Sequence, residues 1–142
     1  MFTVIDIDHL VLHCRDPYAS KDFYCKVLGL KLERKITAPL LLQLRAGSAL
    51  IDLVDNVFTA ASHAQDPRLQ DSLPPIETKP NMAHFCLNIA ETDEHAVLAH
   101  LDKHQVKRDE FSEKYGARGY SRSLYLYDPD NNLVELKLLA LP

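Results

Sequence analysis

The order of hydrophobic and polar patterns is repeated in the two halves of the chain. Each half begins with an alternating segment that predicts a β-strand, at residues 4–14 and 82–89. Apolar residues at helical spacing follow, and then come segments that predict three more strands, at 31–36, 40–45 and 49–54 in the first half. Each half therefore predicts the order strand, helix, three strands, abbreviated βαβββ.

Residue types at the segment ends support these elements. Asp16 followed by Pro17 is typical of a helix start, and Gly29 is typical of a helix end. In the second half Thr92 is the expected helix cap. We expect a weak strand at 106–111, a polar loop at 112–122, and a closing hairpin at 124–138 around the turn-forming run Asp-Pro-Asp-Asn-Asn.

The predicted fold class is α+β. We expect two βαβββ modules to form a cupped, eight-stranded mixed sheet with the helices on the outside. Residues 1–142 are interpreted as a single domain, with module one at 1–54 and module two at 82–142. The connector at 55–81 contains four prolines and no clear period, which is typical of a lid, a packing arm or a linker.

Matching side chains in the two halves are the strongest chemical signal. Glu135 is a carboxylate inside an otherwise apolar strand, where burial is costly unless a cation meets it. Each half has a histidine in its first strand, His9 or His84, and a carboxylate in its last, Asp52 or Glu135. All four side chains are predicted to lie on the face of their strand opposite the apolar row, and the apolar row suits packing against a helix. Such ligands suit Zn, Ni, Mn or Fe(II), so we expect one divalent metal ion in the hollow of the cupped sheet.

The chain also resembles a known family, the vicinal oxygen chelate superfamily of glyoxalase I, bleomycin-resistance proteins and type I extradiol dioxygenases. The segments that carry the resemblance are DHLVL at 8–12, FYCKVLGL at 23–30, HF at 84–85 and YDPDNNLVE at 127–135. It implies that His9, His84 and Glu135 are metal ligands, and it places Asp52 where glyoxalase I has a glutamate ligand.

The resemblance implies a metal-dependent lyase or isomerase of the glyoxalase type, acting on a small oxygenated metabolite bound to the metal through two oxygens. Glu135 or Asp52 is the expected catalytic group, moving a proton next to a carbonyl. The alternatives are a metal-free module that binds a drug, an Fe(II) dioxygenase, and a thiol transferase of the fosfomycin-resistance type. Residues 116–118 are Gly-Ala-Arg and lack the histidine that extradiol dioxygenases have before this hairpin, which counts against ring cleavage.

Several other residues are candidates for binding the substrate. By strand alternation Gln43, Tyr125 and Tyr127 face the same hollow as the predicted ligands. Arg118 and Arg122 lie in the predicted polar loop, from which they could hold a carboxylate or phosphate. Ordinary packing and a solvated surface loop are the competing interpretations.

Composition and charge argue against nucleic acid and membranes as partners. A net charge of −4 with no basic run gives no footing for nucleic acid or an anionic membrane surface. No apolar run is long enough for a membrane span, and no signal-peptide pattern is visible. Three cysteines without a CxxC spacing are typical of reduced thiols in a cytoplasmic protein. The family resemblance adds the expectation of a homodimer.

Overall fold

The structure is a computed structural model that describes residues 1, 3–55 and 82–140. The chain divides into two compact units, residues 1–77 and 78–142. The predicted connector lies, apart from Asp55, outside the described residues. None of the described helices is long and apolar enough to cross a membrane.

The first unit has the predicted order of elements. Asp16 caps the helix, because its Oδ1 accepts hydrogen bonds from the backbone N–H groups of Tyr18 and Ala19, and Gly29 ends the turn with φ +78°. The elements are β1 (His9–Cys14), α1 (Pro17–Asp22), a π-helical turn (Phe23–Val27), β2 (Lys31–Thr37), β3 (Leu40–Ala46) and β4 (Ala49–Asp55).

The second unit repeats this order. Its elements are β5 (Phe85–Ala90), α2 (Glu94–Lys103), β6 (Ser112–Gly116), β7 (Gly119–Tyr127) and β8 (Leu133–Leu139). Both sheets have four strands in equivalent orders, β1-β4-β3-β2 and β5-β8-β7-β6. In each, the first strand runs parallel to the last and the other pairs are antiparallel. The predicted pair of βαβββ modules is confirmed.

Three local predictions were wrong. The strand predicted at 106–111 is reduced to an isolated bridge between Arg108 and Leu126, while the predicted loop at 112–122 contains β6 and the start of β7. The helix cap is Asp93 rather than Thr92, since the Asp93 side chain accepts the bond from the backbone N–H of His95. The first strand of each module begins later than predicted, at His9 and at Phe85, so residues 4–8 and 82–84, including His84, precede the strands without regular structure.

The alternation of side chains gives each sheet an apolar face. In the first unit this face is built from β1, β3 and β4, and α1 packs against these three strands. Its buried members include Leu12, Leu42, Leu44, Ile51 and Leu53. In the second unit the buried aliphatic residues of β7 and β8 are Leu124, Leu126, Val134, Leu136 and Leu138. The polar candidates are therefore confined to the opposite face of each sheet.

The turn before β8 is organised by a buried carboxylate. Asp128 Oδ1 accepts hydrogen bonds from the backbone N–H groups of Asp130 (2.9 Å) and Asn132 (2.8 Å), and its Oδ2 accepts one from Asn132 Nδ2 (2.8 Å). Asn131 has φ +61°, a conformation that asparagine tolerates and glycine prefers. This turn determines where β8 begins. It therefore also determines which residues of β8 point away from the apolar face of the sheet.

Asp128→Ala is expected to lower the free energy of unfolding by about 2 kcal/mol, because it leaves backbone donors of a half-buried turn without an acceptor. Asn131→Gly is the matched control in the same turn and should change it by less than about 1 kcal/mol, since glycine adopts positive φ freely. Urea titration of both variants measures the difference. Equal stabilities would contradict the role given to Asp128.

Candidate functional site

In the first unit, polar side chains gather around the start of β1 and the middle of β4. Asp8 Oδ1 lies 2.6 Å from His9 Nδ1, which leaves Nε2 as the free ring nitrogen. Asp52 is buried, and both of its oxygens accept hydrogen bonds from Gln43 Nε2, at 3.2 and 3.1 Å. The hydrogen bond with Asp8 raises the pKa of His9; desolvation opposes this, and the negative charge of Asp52 adds to it.

The second unit brings its histidine and carboxylate into direct contact. His84 Nε2 lies 3.3 Å from Glu135 Oε2. The ring of Tyr125 packs edge-on against His84 at 5.1 Å between centroids, and Tyr125 stands opposite Glu135 on the neighbouring strand. Glu135 is buried, so His84 is one partner for the carboxylate that the sequence predicted to need a cation.

Strand register puts the two clusters at equivalent positions of the two modules. Asp52 pairs with Val11 across the parallel strands, and Glu135 pairs with Cys86. Val11 and Cys86 each lie two residues after their module's histidine. Because paired residues and residues two apart share a face, each histidine faces the same side as its carboxylate.

A cleft of about 310 Å³ opens on this side of the second unit. Charged groups line it from β8 and from the turn between β6 and β7, namely Glu135, Lys137 and Arg118. The remaining lining residues are His84, Cys86, Asn88, Tyr115, Gly116 and Ala117. The residues that line the cleft therefore include one carboxylate and two cationic side chains.

Partial desolvation close to Glu135 changes the acidity of two groups. Desolvation and the charge of Glu135 raise the pKa of Cys86 to about 11, with Lys137 acting in the opposite direction. Desolvation, followed by the charge of Glu135, also raises the pKa of Tyr125. Near neutral pH both groups are thus proton donors rather than nucleophiles.

Alkylation of Cys86 by iodoacetamide in the metal-free chain is therefore expected to be slow at pH 8. Two pKa units above the usual value leave about 100-fold less thiolate. The rate, followed by mass spectrometry of the Cys86 peptide, should keep rising towards pH 11. Cys86→Ser is the control for assigning the label, and a rate that levels off near pH 9 would contradict the raised pKa of Cys86.

The remaining predicted substrate contacts are distributed unevenly. Arg118 lines the cleft from the turn between β6 and β7. Arg122 instead pairs with Glu94 on α2, through Nε at 2.7 Å and Nη2 at 3.0 Å. Tyr127 is partly exposed, with Lys107 Nζ 5.2 Å from its ring centroid. Arg118 and Tyr125 are thus next to the His84–Glu135 pair or its cleft, while Arg122 and Tyr127 are engaged elsewhere.

Sequence reasoning did not single out Lys137, Lys114 or Asp8. Lys137 was recognisable as sharing the face of Glu135, but alternation alone does not show that its ammonium group is buried. Lys114 Nζ lies 4.8 Å from the Tyr125 ring centroid and donates to the Ser123 carbonyl, contacts that depend on β6, which was not predicted. Asp8 precedes its histidine directly, and only the geometry shows that it bonds to Nδ1.

The donors within each unit have the chemistry of metal ligands, although the described residues contain no group of three or more His, Cys, Asp or Glu side chains placed to hold one metal ion. Two ligands about 2.1 Å from one Zn²⁺ lie about 3.4 Å apart at a tetrahedral angle. The 3.3 Å between His84 Nε2 and Glu135 Oε2 agrees with this spacing. The contact between Asp8 and His9 Nδ1 is the carboxylate–histidine arrangement that orients metal-binding imidazoles.

Comparisons with solved structures show the same fold. An integron cassette protein from V. Cholerae is 24% identical with a TM-score of 0.68, over 97% of this chain and 98% of that one. Lactoylglutathione lyase from Agrobacterium tumefaciens is 20% identical with a TM-score of 0.64, over 96% and 95%. A fosfomycin resistance protein, FosX, from Listeria monocytogenes is 17% identical with a TM-score of 0.59, over 99% and 97%.

The structural similarities show the fold alone, whereas a match to a family model shows the family. It matches residues 6–136, which include both histidines and both carboxylates of the candidate site. The chain belongs to the Glyoxalase/Bleomycin resistance protein/Dioxygenase superfamily.

Proposed function

We propose that the chain is a metal-dependent lyase or isomerase of the glyoxalase type, with His9, His84 and Glu135 as ligands of one divalent ion and Asp52 as a further ligand or neighbour. The observation that carries the proposal is the 3.3 Å approach of His84 Nε2 to Glu135 Oε2, on the face of the sheet opposite the apolar row of β7 and β8. The proposed substrate is a small oxygenated metabolite, and the proposed assembly is a cytoplasmic homodimer.

Each proposed ligand has a local reason to hold its orientation. Asp8 accepts the Nδ1 proton of His9 and so directs Nε2 outward. Tyr125 packs edge-on against His84 and limits its rotation. Gln43 donates to both oxygens of Asp52, and a carboxylate keeps further lone pairs for another cation or proton.

The bound ion would act as a Lewis acid that lowers the energy of negative charge on a substrate oxygen. The proton chemistry belongs to the chain. Glu135 is the best placed base because it is buried beside the cleft and opposite Tyr125. A carboxylate there can remove a proton from the carbon next to a carbonyl and return it to a neighbouring carbon or oxygen. The Tyr125 hydroxyl, with its raised pKa, stays protonated near neutral pH, so it can donate a proton to the substrate but cannot act as the base.

Solvent exchange tests this function without knowledge of the physiological substrate. The metal-loaded chain is incubated in D₂O with hemithioacetals of 2-oxoaldehydes and with 2-hydroxy acids, and deuterium at the carbon next to the carbonyl is followed by NMR. We expect metal-dependent exchange or isomerisation that Glu135→Gln slows by at least about 100-fold, the usual scale of general base catalysis. Oxygen consumption with catechols, or no exchange with any metal, would refute the proposal.

A further inference from the structure

On the side of the sheet that carries the candidate site, the two modules differ at the cross-strand pair two residues beyond the site carboxylate. In the first unit this pair is apolar, Leu41 opposite Val54. Counting from the carboxylate of each module, the equivalent pair in the second unit is Ser123 opposite Lys137. The fold thus accommodates aliphatic side chains at these positions, and it does not itself require a hydroxyl and an ammonium group there.

Among the described residues, the ammonium group of Lys137 lacks a full set of acceptors. Lys137 is only 5% exposed, and within this part of the chain its Nζ donates one hydrogen bond, to the Lys114 carbonyl at 2.6 Å. An ammonium group has three N–H donors, and leaving a charged group unpaired in the interior is costly. Glu135 is not its ion-pair partner, because within the described part of the second unit the group within 4.0 Å of that carboxylate is His84.

The residues around Lys137 leave space for its ammonium group. A Cβ on Gly116 would lie 3.1 Å from Lys137 Nζ, so glycine makes room for the charge at a position where φ does not demand glycine. The hydroxyl of Ser123, directly across from Lys137, is buried and has no hydrogen-bond partner in the described residues. Arg118 lines the same cleft from the exposed turn and forms no ion pair with any described residue.

We infer that the cleft of the second unit binds the oxyanion group of an anionic substrate, a carboxylate or a phosphonate, through the ammonium group of Lys137, with Arg118 at its open side. The anion would accept the hydrogen bonds that Lys137 lacks and would offset its buried charge. This inference rests on the proposed function and names its substrate class: a small oxygenated metabolite that carries a negative charge away from the reacting carbon.

Anion binding by the full-length chain tests the inference. Lactate, methylphosphonate and neutral lactamide are titrated into ¹⁵N-labelled protein, first after chelator treatment and then with Zn²⁺ added, and the backbone amide shifts of Gly116, Arg118 and Lys137 are followed. We expect at least one of the anions, but not lactamide, to shift these amides in both states. The anion that binds more tightly identifies carboxylate or phosphonate as the preferred group.

Lys137→Met should weaken the binding of that anion about tenfold or more, the usual effect of losing a charge-assisted hydrogen bond. Lys103→Met, which removes the same charge from an exposed position on α2, is the matched control and should bind as the native chain does. Equal affinity of Lys137→Met and native protein, or equal binding of lactamide, would overturn the inference.

Gly116→Ala decides the question if Lys137→Met does not fold. Its new Cβ would lie 3.1 Å from Lys137 Nζ and shift the ammonium group by a few tenths of an ångström without removing any charge, which should weaken anion binding severalfold; unchanged affinity would overturn the inference. Loss of metal binding alone, with anion binding intact in the chelator-treated chain, would count against the proposed function and leave the inference standing. Metal binding without any preference for anions would overturn the inference and leave the proposed function standing.

Discussion

His84→Ala is expected to bind Zn²⁺ at least about 100-fold more weakly than the native chain while keeping its fold. Removal of an outer partner of a metal ligand already costs roughly 10–100-fold in affinity, and His84 is proposed as a direct ligand. Its side chain is 36% exposed and precedes β5, so truncation leaves no large cavity. Competition with a chromophoric chelator measures the affinity, and circular dichroism checks the fold.

His95→Ala is the matched control for this experiment. His95 lies on α2 of the same unit with its side chain 95% exposed, so its removal deletes an imidazole without touching the cleft. This variant should bind Zn²⁺ like the native chain. If His84→Ala and His95→Ala lose affinity to the same extent, the metal is held by scattered surface histidines and the proposed ligand set fails.

Leu124→Ala is expected to lower the free energy of unfolding by about 3–5 kcal/mol, the usual cost of deleting a fully buried leucine side chain. Leu124 is completely buried on β7, opposite Leu136 on β8. These strands also carry Tyr125 and Glu135 on their other face, so the apolar face supports the site from below. Chemical denaturation followed by far-UV circular dichroism measures the loss.

Leu32→Ala is the comparison for Leu124→Ala. Leu32 lies on β2, at the edge of the first sheet, and is 44% exposed, so its replacement should cost less than about 1 kcal/mol. A similar small loss for both variants would mean that the face of β7 containing Leu124 is not the buried face that the structure assigns.

Strand alternation was sufficient to predict which residues share a face. A slip of one residue would have moved every side chain to the other face, so the apolar rows of β4 and β8 fixed the sides taken by Asp52 and Glu135. The matching of His9 with His84 followed from aligning the two modules, and the observed pairing of Val11 with Asp52 and Cys86 with Glu135 agrees with it.

The strand β6 could not be predicted in this way. Its residues, Ser112–Gly116, show no apolar alternation because, within the described parts of the chain, it is an edge strand that pairs with β7 alone through backbone hydrogen bonds. The more apolar segment at 106–111 contributes one bridge, from Arg108 to Leu126, and otherwise packs without a ladder. A hydrophobic pattern indicates which residues are buried. It does not indicate which strand a segment pairs with through its backbone, and the pairing of both segments depends on this.

The polar contacts of the site were also beyond the sequence. Gln43 was predicted to face the hollow, but its two hydrogen bonds to Asp52 depend on the register of β3 against β4. The burial of the Lys137 ammonium group depends on Gly116, which belongs to the strand that was missed. Long polar side chains reach partners that strand periodicity does not specify.

X-ray absorption at the Zn edge of the loaded, full-length chain is the most direct test of the central claim that one ion is held by two histidines and at least one carboxylate. The account predicts one Zn²⁺ per chain with two imidazole ligands and oxygen in the remaining positions. A sulfur ligand at about 2.3 Å, which would require a cysteine such as Cys86, or a chain that retains no Zn²⁺ at all, would contradict it.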